Sequence, residues 1–398
     1  MDARSPWVER FPLGATATLA ELEGDPHGLL ARLRTREPVS WVLALGGWLV
    51  TRRDLAIEVM RDPATFTVDD PRFSTGRVVG PSMLTRDGDD HRRHRDPFAR
   101  PFRRTAVHAR FTDLVAGEAE RLIDAIEPGG AAELRTSLAG PLAVTIATRT
   151  LGIEDADPRT VLGWYREIVA AVTDITAGRP PGSAGRDAYA ALSDAIGPAL
   201  DREPAASLLA AAASDAGGLG RERVISNAAV LLFGGIETTE GMIANLVWHL
   251  LSAPDQLARV QASPGVLANA VEESLRLEPA AAVVDRYATA AVQLAGAPIG
   301  RGELVRVSIA AANRDPEVFP DPDRLDVERA NARQHLAFAT GPHACLGLHL
   351  ARLEARTAVE RLLTRLPALR LDPARPTAPR GLVFRKPPAL HVLWTPPG

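Results

Sequence analysis

Cysteine and lysine are almost absent from this chain of 398 residues, and aromatic residues are scarce. Cys345 is the only cysteine, so no intramolecular disulfide can form, and a reducing cytoplasm is the expected compartment. A single thiol also excludes an iron–sulfur cluster held by four thiolates. Lys386 is the only lysine among 46 basic residues, so the others are all arginines. The lone thiol is therefore the residue that most needs an explanation.

The chain also lacks a large excess of charge of one sign and any long apolar run. Its net charge is −3, which removes the positive field that nucleic-acid binding normally uses. The longest uncharged, mainly apolar run covers residues 224–236, well short of the ~20 residues of a membrane helix. The first residues, MDARSPWVERFPLG, contain no apolar segment typical of a secretory signal. We therefore expect a soluble, cytoplasmic protein that binds neither nucleic acid nor a membrane.

Apolar residues recur at helical spacing through most of the chain, which predicts a mainly α fold with small β-sheets. This spacing runs from about residue 106 to residue 276, with a Gly- and Pro-rich connection at 176–184. A long helix is predicted from Arg221 to Leu251, and another from Leu346 to Leu363. A length prior of roughly 150 residues per domain leaves open two or three domains or one large domain.

Short strands are predicted towards both ends of the chain. Residues 39–45 and 48–51 flank Gly46-Gly47 and are typical of a hairpin. Residues 282–287 and 304–309 are also strand-like, and residues 380–394 are expected to form a final hairpin. Asp54 is the expected cap of a short helix over 55–60, and residues 67–88 are expected to form one long loop.

The cysteine lies in the segment HLAFATGPHACLGLHLARLE, which has a specific spacing. Phe338, Gly341, His343, Cys345 and Gly347 follow the pattern F-x-x-G-x-H-x-C-x-G, and a predicted helix comes directly afterwards. Glycines let the backbone approach the sulfur, and a helix start adds positive partial charge that favours a thiolate. A thiolate held in this way suits a metal.

A thiolate of this kind can ligate a haem iron. Three other interpretations of the thiol compete with this one. A buried, inert cysteine is the commonest fate of a lone thiol. A zinc site could use His343, Cys345 and His349, although an obvious fourth ligand is missing. A hydrolase could use Cys345 as nucleophile and His343 as base. The specific spacing favours a haem thiolate.

Three further motifs precede the thiol segment. They are DGDDHRRHRDPF near residue 90, LLFGGIETTEG within the long predicted helix, and E-x-x-R at Glu273 and Arg276. With these motifs in this order, nearly the whole chain resembles the cytochrome P-450 family, the haem-thiolate monooxygenases, and specifically its soluble bacterial branch. The resemblance implies the cytochrome P-450 fold, a single haem domain over residues 1–398, haem b as cofactor, and Cys345 as the axial iron ligand. Ala339 stands where the family usually has glycine, and we expect a slightly tighter turn there.

The resemblance also implies which residues support the haem. Phe338, Gly341 and Gly347 belong to its binding loop. Glu273 and Arg276 share one helix face, and with residues 313–315 they are expected to form a buried ion-pair network behind this loop. Cations for the haem propionates are expected from His91, Arg95, Arg286 and His343. Pro97 and Pro101 are expected to break the helix that carries the first two of these.

The long helix contains residues that are unfavourable in a helix interior. Each of its two adjacent glycines costs ~1 kcal/mol there, which is typical of a functional kink or of a close-packing site. Thr238 can hydrogen-bond back to the carbonyl of Gly234. The resemblance implies that Gly234 lies in the O2-binding groove, and that Glu237 and Thr238 manage proton delivery to O2 as co-substrate.

The resemblance further implies oxygen insertion into a C–H or C=C bond of a lipophilic small molecule, in secondary metabolism. The expected pocket residues are small or apolar: Met83, Phe233, Ala282, Val283 and Leu382. Two electrons would come from NAD(P)H through a ferredoxin and its reductase. The expected docking surface for the ferredoxin is an arginine cluster of Arg92, Arg93, Arg100, Arg103 and Arg104. We expect a monomer; the competing functions are a haem carrier or sensor without turnover, and a zinc or cysteine hydrolase.

Overall fold

Helices predominate and the sheets are small, as the apolar spacing predicts. The computed structural model describes residues 7–153, 155–176, 178–180, 182–202, 208–215 and 219–396. The helices are α1 (Trp7–Arg10), α2 (Pro12–Thr16), α3 (Leu19–Glu23), α4 (His27–Arg36), α5 (Arg53–Arg61), α6 (Ser74–Val79), α7 (Gly88–Ala99), α8 (Arg104–Ile126), α9 (Gly140–Leu151), α10 (Pro158–Thr176), α11 (Ala184–Leu200), α12 (Leu208–Asp215), α13 (Arg221–Ser252), α14 (Pro254–Ala262), α15 (Leu267–Leu277), α16 (Ile309–Ala312) and α17 (Leu348–Arg365). The strands are β1 (Val39–Val42), β2 (Gly47–Val50), β3 (Phe66–Thr67), β4 (Ala131–Glu133), β5 (Val283–Ala288), β6 (Val292–Leu294), β7 (Ala297–Ile299), β8 (Leu304–Ser308), β9 (Arg370–Leu371) and β10 (His391–Leu393).

The chain divides into two compact units, and the first contains the larger sheet. This unit holds the residues up to Val68, Asn245–Cys345 and Pro376–Pro388. Its five strands lie in the order β1-β2-β8-β5-β3, in which only the β2–β8 pair is parallel. Trp48, on β2, is fully buried within the apolar cluster of this unit. Its indole Nε1 donates to a Glu303 carboxylate oxygen at 2.6 Å.

The predicted hairpin near the N-terminus is confirmed, with a longer connection than expected. β1 and β2 pair antiparallel, with Val39 opposite Val50. Residues 43–45 form a 3₁₀ turn, and Gly46 follows with φ = 60°. This left-handed conformation is unfavourable for residues with a Cβ, which accounts for the glycine.

The second unit is mainly helical and holds Asp69–Ala244, Leu346–Arg375 and the residues from Ala389 on. α8 packs along α17, and α10 packs along α11. Arg365 of α17 binds three acidic side chains at the end of α8 and beyond it, with distances of 2.6–2.8 Å to Glu120, Asp124 and Glu127. A three-stranded antiparallel sheet has the order β4-β10-β9.

The long helix is confirmed almost to the residue, as α13. Within the described part of the chain it is the one helix long and apolar enough to cross a membrane. However, 78% of its most apolar window is buried, which is typical of a core helix. The predicted connection at 176–184 also agrees, since α10 ends at Thr176 and α11 begins at Ala184; residues 177 and 181 of it lie outside the described residues.

Two predictions about the region before α7 are wrong. Asp54 does not cap α5, because the helix begins at Arg53, the residue before Asp54. The main-chain amide of Arg53 donates to the carboxylate of Asp315 at 3.0 Å. A residue distant in the sequence therefore caps this helix. Residues 67–88 are not one loop, because they contain α6, whose last residue, Val79, accepts a hydrogen bond from the Ser226 hydroxyl at 2.7 Å.

Two proline-related predictions also need correction. α7 continues through Pro97 and ends at Ala99, so the one main-chain hydrogen bond lost at Pro97 does not break it; Pro101 lies in the 3₁₀ turn that follows. The tail is not a hairpin: residues 380–386 form only an isolated bridge, and β10 pairs with β4 and β9. Pro387 and Pro388 supply no amide hydrogen between these parts, so a continuous ladder cannot form.

Candidate functional site

The thiol loop, residues 338–347, is closed by main-chain hydrogen bonds. The amide of Cys345 donates to the carbonyl of Phe338 at 2.8 Å, and that of Ala344 donates to Gly341 at 3.1 Å. Gly341 has φ = 77°, and a Cβ there would lie 2.6 Å from the carbonyl oxygen of Met60, so only glycine fits. The thiol is half-buried, and α17 begins three residues later, at Leu348, as the spacing predicts.

Ala339 occupies an unusual backbone conformation in this loop. Its φ is 56°, in the left-handed region, which costs a residue with a Cβ roughly 1–2 kcal/mol. Alanine is therefore strained at a position that glycine would occupy freely, and the expected slight tightening of the turn stays a prediction.

The predicted ion pair behind the loop is present and fully buried. The Arg276 guanidinium donates through Nε and Nη2 to the two Glu273 oxygens at 2.7 and 2.9 Å, with both side chains at 0% exposure. Arg329 adds a second cation, 3.0 Å from Glu273. Burial lowers the pKa of the Arg276 guanidinium, and the Glu273 carboxylate opposes that shift. One buried carboxylate is thus held by two guanidinium groups.

Hydrogen bonds from the ion pair and from its neighbour Glu272 reach the residues just before the thiol loop. Arg276 donates to the main-chain carbonyl of Asn313 at 3.1 Å, and the side-chain oxygen of Asn313 accepts from the amide of Leu336 at 2.6 Å. His335 lies 3.0 Å from Glu272, the neighbour of Glu273. Of the expected 313–315 network, Asn313 is the residue that contacts Arg276.

The other two members of that expected network bind elsewhere. Arg314 donates to the carbonyl of Leu277 at 3.0 Å and pairs with Asp323 at 2.7 Å. Asp315 receives the amide of Arg53. Arg329 is the member that sequence reasoning missed, because a residue 56 positions from Glu273 gives no spacing signal.

The four predicted propionate ligands are divided between the two units. His91 and Arg95 lie on α7 in the second unit, four residues apart, and His91 is buried whereas Arg95 is half-buried. Arg286 lies on β5 in the first unit, where it is 4% exposed and its guanidinium donates to the carbonyl of Asp285 at 2.7 Å. His343 is half-buried within the thiol loop.

α13 carries an open glycine and the predicted threonine hydrogen bond. Gly234 is exposed although most of α13 is buried, and a Cβ there would meet no atom within 4 Å. The Thr238 hydroxyl donates to the Gly234 carbonyl at 2.5 Å, which confirms the predicted contact. Glu237 is buried and accepts a hydrogen bond from the phenol of Tyr165, on α10, a partner that sequence reasoning missed.

The predicted pocket residues are all apolar and buried or half-buried. In the second unit, Met83 and Phe233 are 5% and 8% exposed. In the first unit, Ala282 and Val283 are 1% and 8% exposed, and Leu382 packs against the apolar cluster that contains Ala282. Their contact with a substrate stays a prediction.

A polar chain that sequence reasoning missed anchors the segment around Met83. The side-chain oxygen of Asn227, on α13, accepts from the amide of Met83 at 2.7 Å. Its amide nitrogen donates to Nδ1 of His94 at 2.9 Å, so His94 must be neutral in this arrangement. Burial lowers the pKa of the His94 imidazole, which agrees with that state.

Comparison with known proteins identifies the family. A sequence model described as Cytochrome P-450 matches residues 265–393. Cytochrome P-450 monooxygenase PikC of Streptomyces venezuelae is 35% identical, over 94% of this chain and 90% of its own. The chain belongs to the cytochrome P-450 family. Mycinamicin IV hydroxylase/epoxidase of Micromonospora griseorubida is 34% identical to this cytochrome P-450, over 93% of the chain and 97% of its own. The crystal structure of CalO2 matches with a TM-score of 0.86 and 30% identity, covering 96% of this chain and 100% of its own.

This cytochrome P-450 is a monooxygenase with haem b as cofactor and O2 as co-substrate, as the motifs predict. Its donor set fits haem. Cys345 offers one half-buried sulfur, and the described residues contain no group of three or more His, Cys, Asp or Glu side chains that could hold a metal ion, as the zinc alternative would need.

The ion-pair network predicts a large effect of removing one charge. Arg276→Met should lower the free energy of unfolding by ~3–5 kcal/mol, because it leaves Glu273 buried with only one cation. The double variant Glu273→Leu/Arg276→Met should lose less than the sum of the two single variants, because no uncompensated charge remains. Urea unfolding measures both.

Arg259→Met is the matched control, since Arg259 pairs with Glu328 and both side chains are about half exposed. It should cost less than ~1 kcal/mol. If Arg276→Met cost no more than Arg259→Met, the buried pair would contribute nothing beyond a surface pair.

Proposed function

We propose that this cytochrome P-450 hydroxylates or epoxidises a lipophilic small molecule in secondary metabolism, with Cys345 as the axial ligand of the haem iron. The observation that carries the proposal is the only thiol of the chain, half-buried in a hydrogen-bonded loop just ahead of α17. Amides and a helix start near a sulfur favour its thiolate form. When bound, the haem supplies the chemistry of O2 activation, and the protein supplies ligation, protons and an apolar surrounding.

Residues on α13 are proposed to bring protons to O2. Thr238 presents a half-buried hydroxyl next to the open face of Gly234, and Glu237 is the adjacent carboxyl group. A haem carrier or sensor needs no such acid–alcohol pair, so this pair favours turnover over those alternatives. His91, Arg95, Arg286 and His343 are proposed to hold the two propionates, because carboxylates bind cations and imidazolium donors most strongly.

The substrate class is proposed from the surroundings of the predicted pocket residues. Met83, Phe233, Ala282, Val283 and Leu382 offer no charge. The names of two relatives, mycinamicin IV hydroxylase/epoxidase and a vitamin D(3) 25-hydroxylase of Pseudonocardia autotrophica, agree with oxidation of large organic molecules. Such molecules bind mainly by burial of apolar surface.

A ferredoxin, reduced by NAD(P)H through its reductase, is the proposed electron donor. The arginine cluster predicted from the sequence is exposed at all five positions. It continues onto α8 and α17, where Arg352, Arg104 and His108 add to burial in lowering the pKa of His349. A surface of this charge suits an acidic protein partner. We propose further that residues 1–398 act as one haem domain, monomeric and cytoplasmic, without binding nucleic acid or a membrane.

Thr238 gives the test of the proposed chemistry. Thr238→Ala should bind haem normally but release a larger share of the electrons as H2O2, with product per NADPH reduced at least ~tenfold, because general acid catalysis contributes 10²–10⁴-fold. The measurement is NADPH consumed, H2O2 released and product formed, with the compound that gives the largest substrate-type absorption shift in a binding screen.

Thr238→Ser should restore coupling, and Thr239→Val, which removes a buried hydroxyl from the same turn, should leave coupling close to that of the wild type. Normal coupling in Thr238→Ala would show that the hydroxyl acts only within the helix.

The arginine cluster gives the test of the proposed partner. Arg93→Glu/Arg103→Glu should slow reduction by a plant-type ferredoxin and flatten its dependence on salt, because exposed charges are screened beyond ~8 Å at physiological ionic strength. Stopped-flow reduction at several salt concentrations measures this. Arg92 is unsuitable, since it already pairs with Asp89.

Arg159→Glu/Arg166→Glu makes the same charge change on exposed positions of α10 and is the matched control. Equal rates in the two double variants would remove the cluster from partner binding.

A further inference from the structure

Two buried glutamates on α13 have partners of different kinds. Glu237 and Glu240 lie three residues apart and are 7% and 6% exposed. Glu240 is paired with a cation, since Nε of Arg135 donates to it at 2.6 Å. Glu237, next to Thr238, accepts instead from the neutral phenol of Tyr165. Glu240 is thus bound by a guanidinium and Glu237 by a phenol, and both donors come from outside α13.

Tyr165 is built into the interior rather than placed by chance on a surface. Its side chain is 5% exposed, and its ring lies 6.3 Å from that of Phe233, one helical turn before Glu237. Burial, with the charge of Glu237, holds the pKa of the Tyr165 phenol well above its usual range. The phenol therefore keeps its proton and remains a donor throughout the pH range in which an enzyme works.

Two charged groups and one hydroxyl also surround this pair. Glu240, from α13 itself, repels a second negative charge on the pair, and Arg135, from the segment before α9, attracts it. The Thr238 hydroxyl is engaged with the Gly234 carbonyl.

We propose that Tyr165 is a positioning residue for Glu237: its phenol holds the carboxylate in one orientation on α13 beside Thr238. This inference rests on the proposed role of Glu237 in proton delivery. Tyr165 would in this way fix the point from which Glu237 passes protons towards O2.

The first experiment measures H2O2 released per NADPH consumed between pH 6 and 9, with the holoenzyme, a plant-type ferredoxin and its reductase, and no added substrate. Two electrons and two protons convert O2 to H2O2, and four of each convert it to water, so the ratio reports how protons arrive. Tyr165→Phe should move this ratio towards that of Glu237→Gln, because Glu237 loses the phenol that orients it. Tyr189→Phe is the matched control, since its phenol also lies within hydrogen-bond distance of an α13 side chain, 3.2 Å from Ser226, and it should leave the ratio unchanged.

The second experiment does not depend on turnover. The chain has three tyrosines, so [ζ-¹³C]tyrosine gives three resolvable NMR signals in the reduced, carbon-monoxide-bound holoenzyme, and Tyr165→Phe assigns one of them. Glu237→Gln should shift the Tyr165 signal, because the acceptor of its phenol changes from a carboxylate to an amide. The other two signals should not move.

The outcomes separate this inference from the proposed function. If Glu237→Gln changes the H2O2 ratio but Tyr165→Phe leaves it at the wild-type value, the positioning role is overturned and the role of Glu237 stands. If Glu237→Gln changes neither the ratio nor its pH dependence, the role of Glu237 is overturned, and the inference falls with it.

Discussion

A buried carboxylate held by two guanidinium groups is the constraint on which the thiol loop of this protein depends. Glu273 has no exposed surface, and Arg276 and Arg329 both bind it. Isolating such a charge from water is costly unless the geometry satisfies it almost completely. The same guanidiniums donate to carbonyls of the 313–324 segment, so the segment leading to the thiol loop is fixed by the requirement that these charges be satisfied.

The long helix α13 also contains buried polar groups that need hydrogen-bond partners. It places two carboxylates and a threonine in a buried helix, and each finds a partner of a different kind: Arg135, Tyr165 and a main-chain carbonyl. The glycine at position 234 leaves one part of the helix open.

Local signals in the sequence predicted the parts of the structure that depend on neighbours in the chain. The 3.6-residue apolar period located α13, the Gly46-Gly47 pair located the first hairpin, and the i, i+3 spacing paired Glu273 with Arg276. Three contacts were predicted wrongly or not at all, because each joins segments that are distant in the sequence. The amide of Arg53 is capped from Asp315, Arg329 reaches Glu273, and Tyr165 reaches Glu237 across 72 positions. Such partners are determined by tertiary packing, and a single sequence carries no periodic signal of them.

The absorption spectrum of the reduced, carbon-monoxide-bound protein tests the central claim most directly, namely that Cys345 ligates the haem iron as a thiolate. The wild-type protein should show a strongly red-shifted Soret band, because a thiolate donates electron density to the iron. Cys345→Ala, compared at equal haem content, should lose that band completely, since the chain has no second thiol. A shifted band that survives in Cys345→Ala, or an unshifted band in the wild type, would contradict the account.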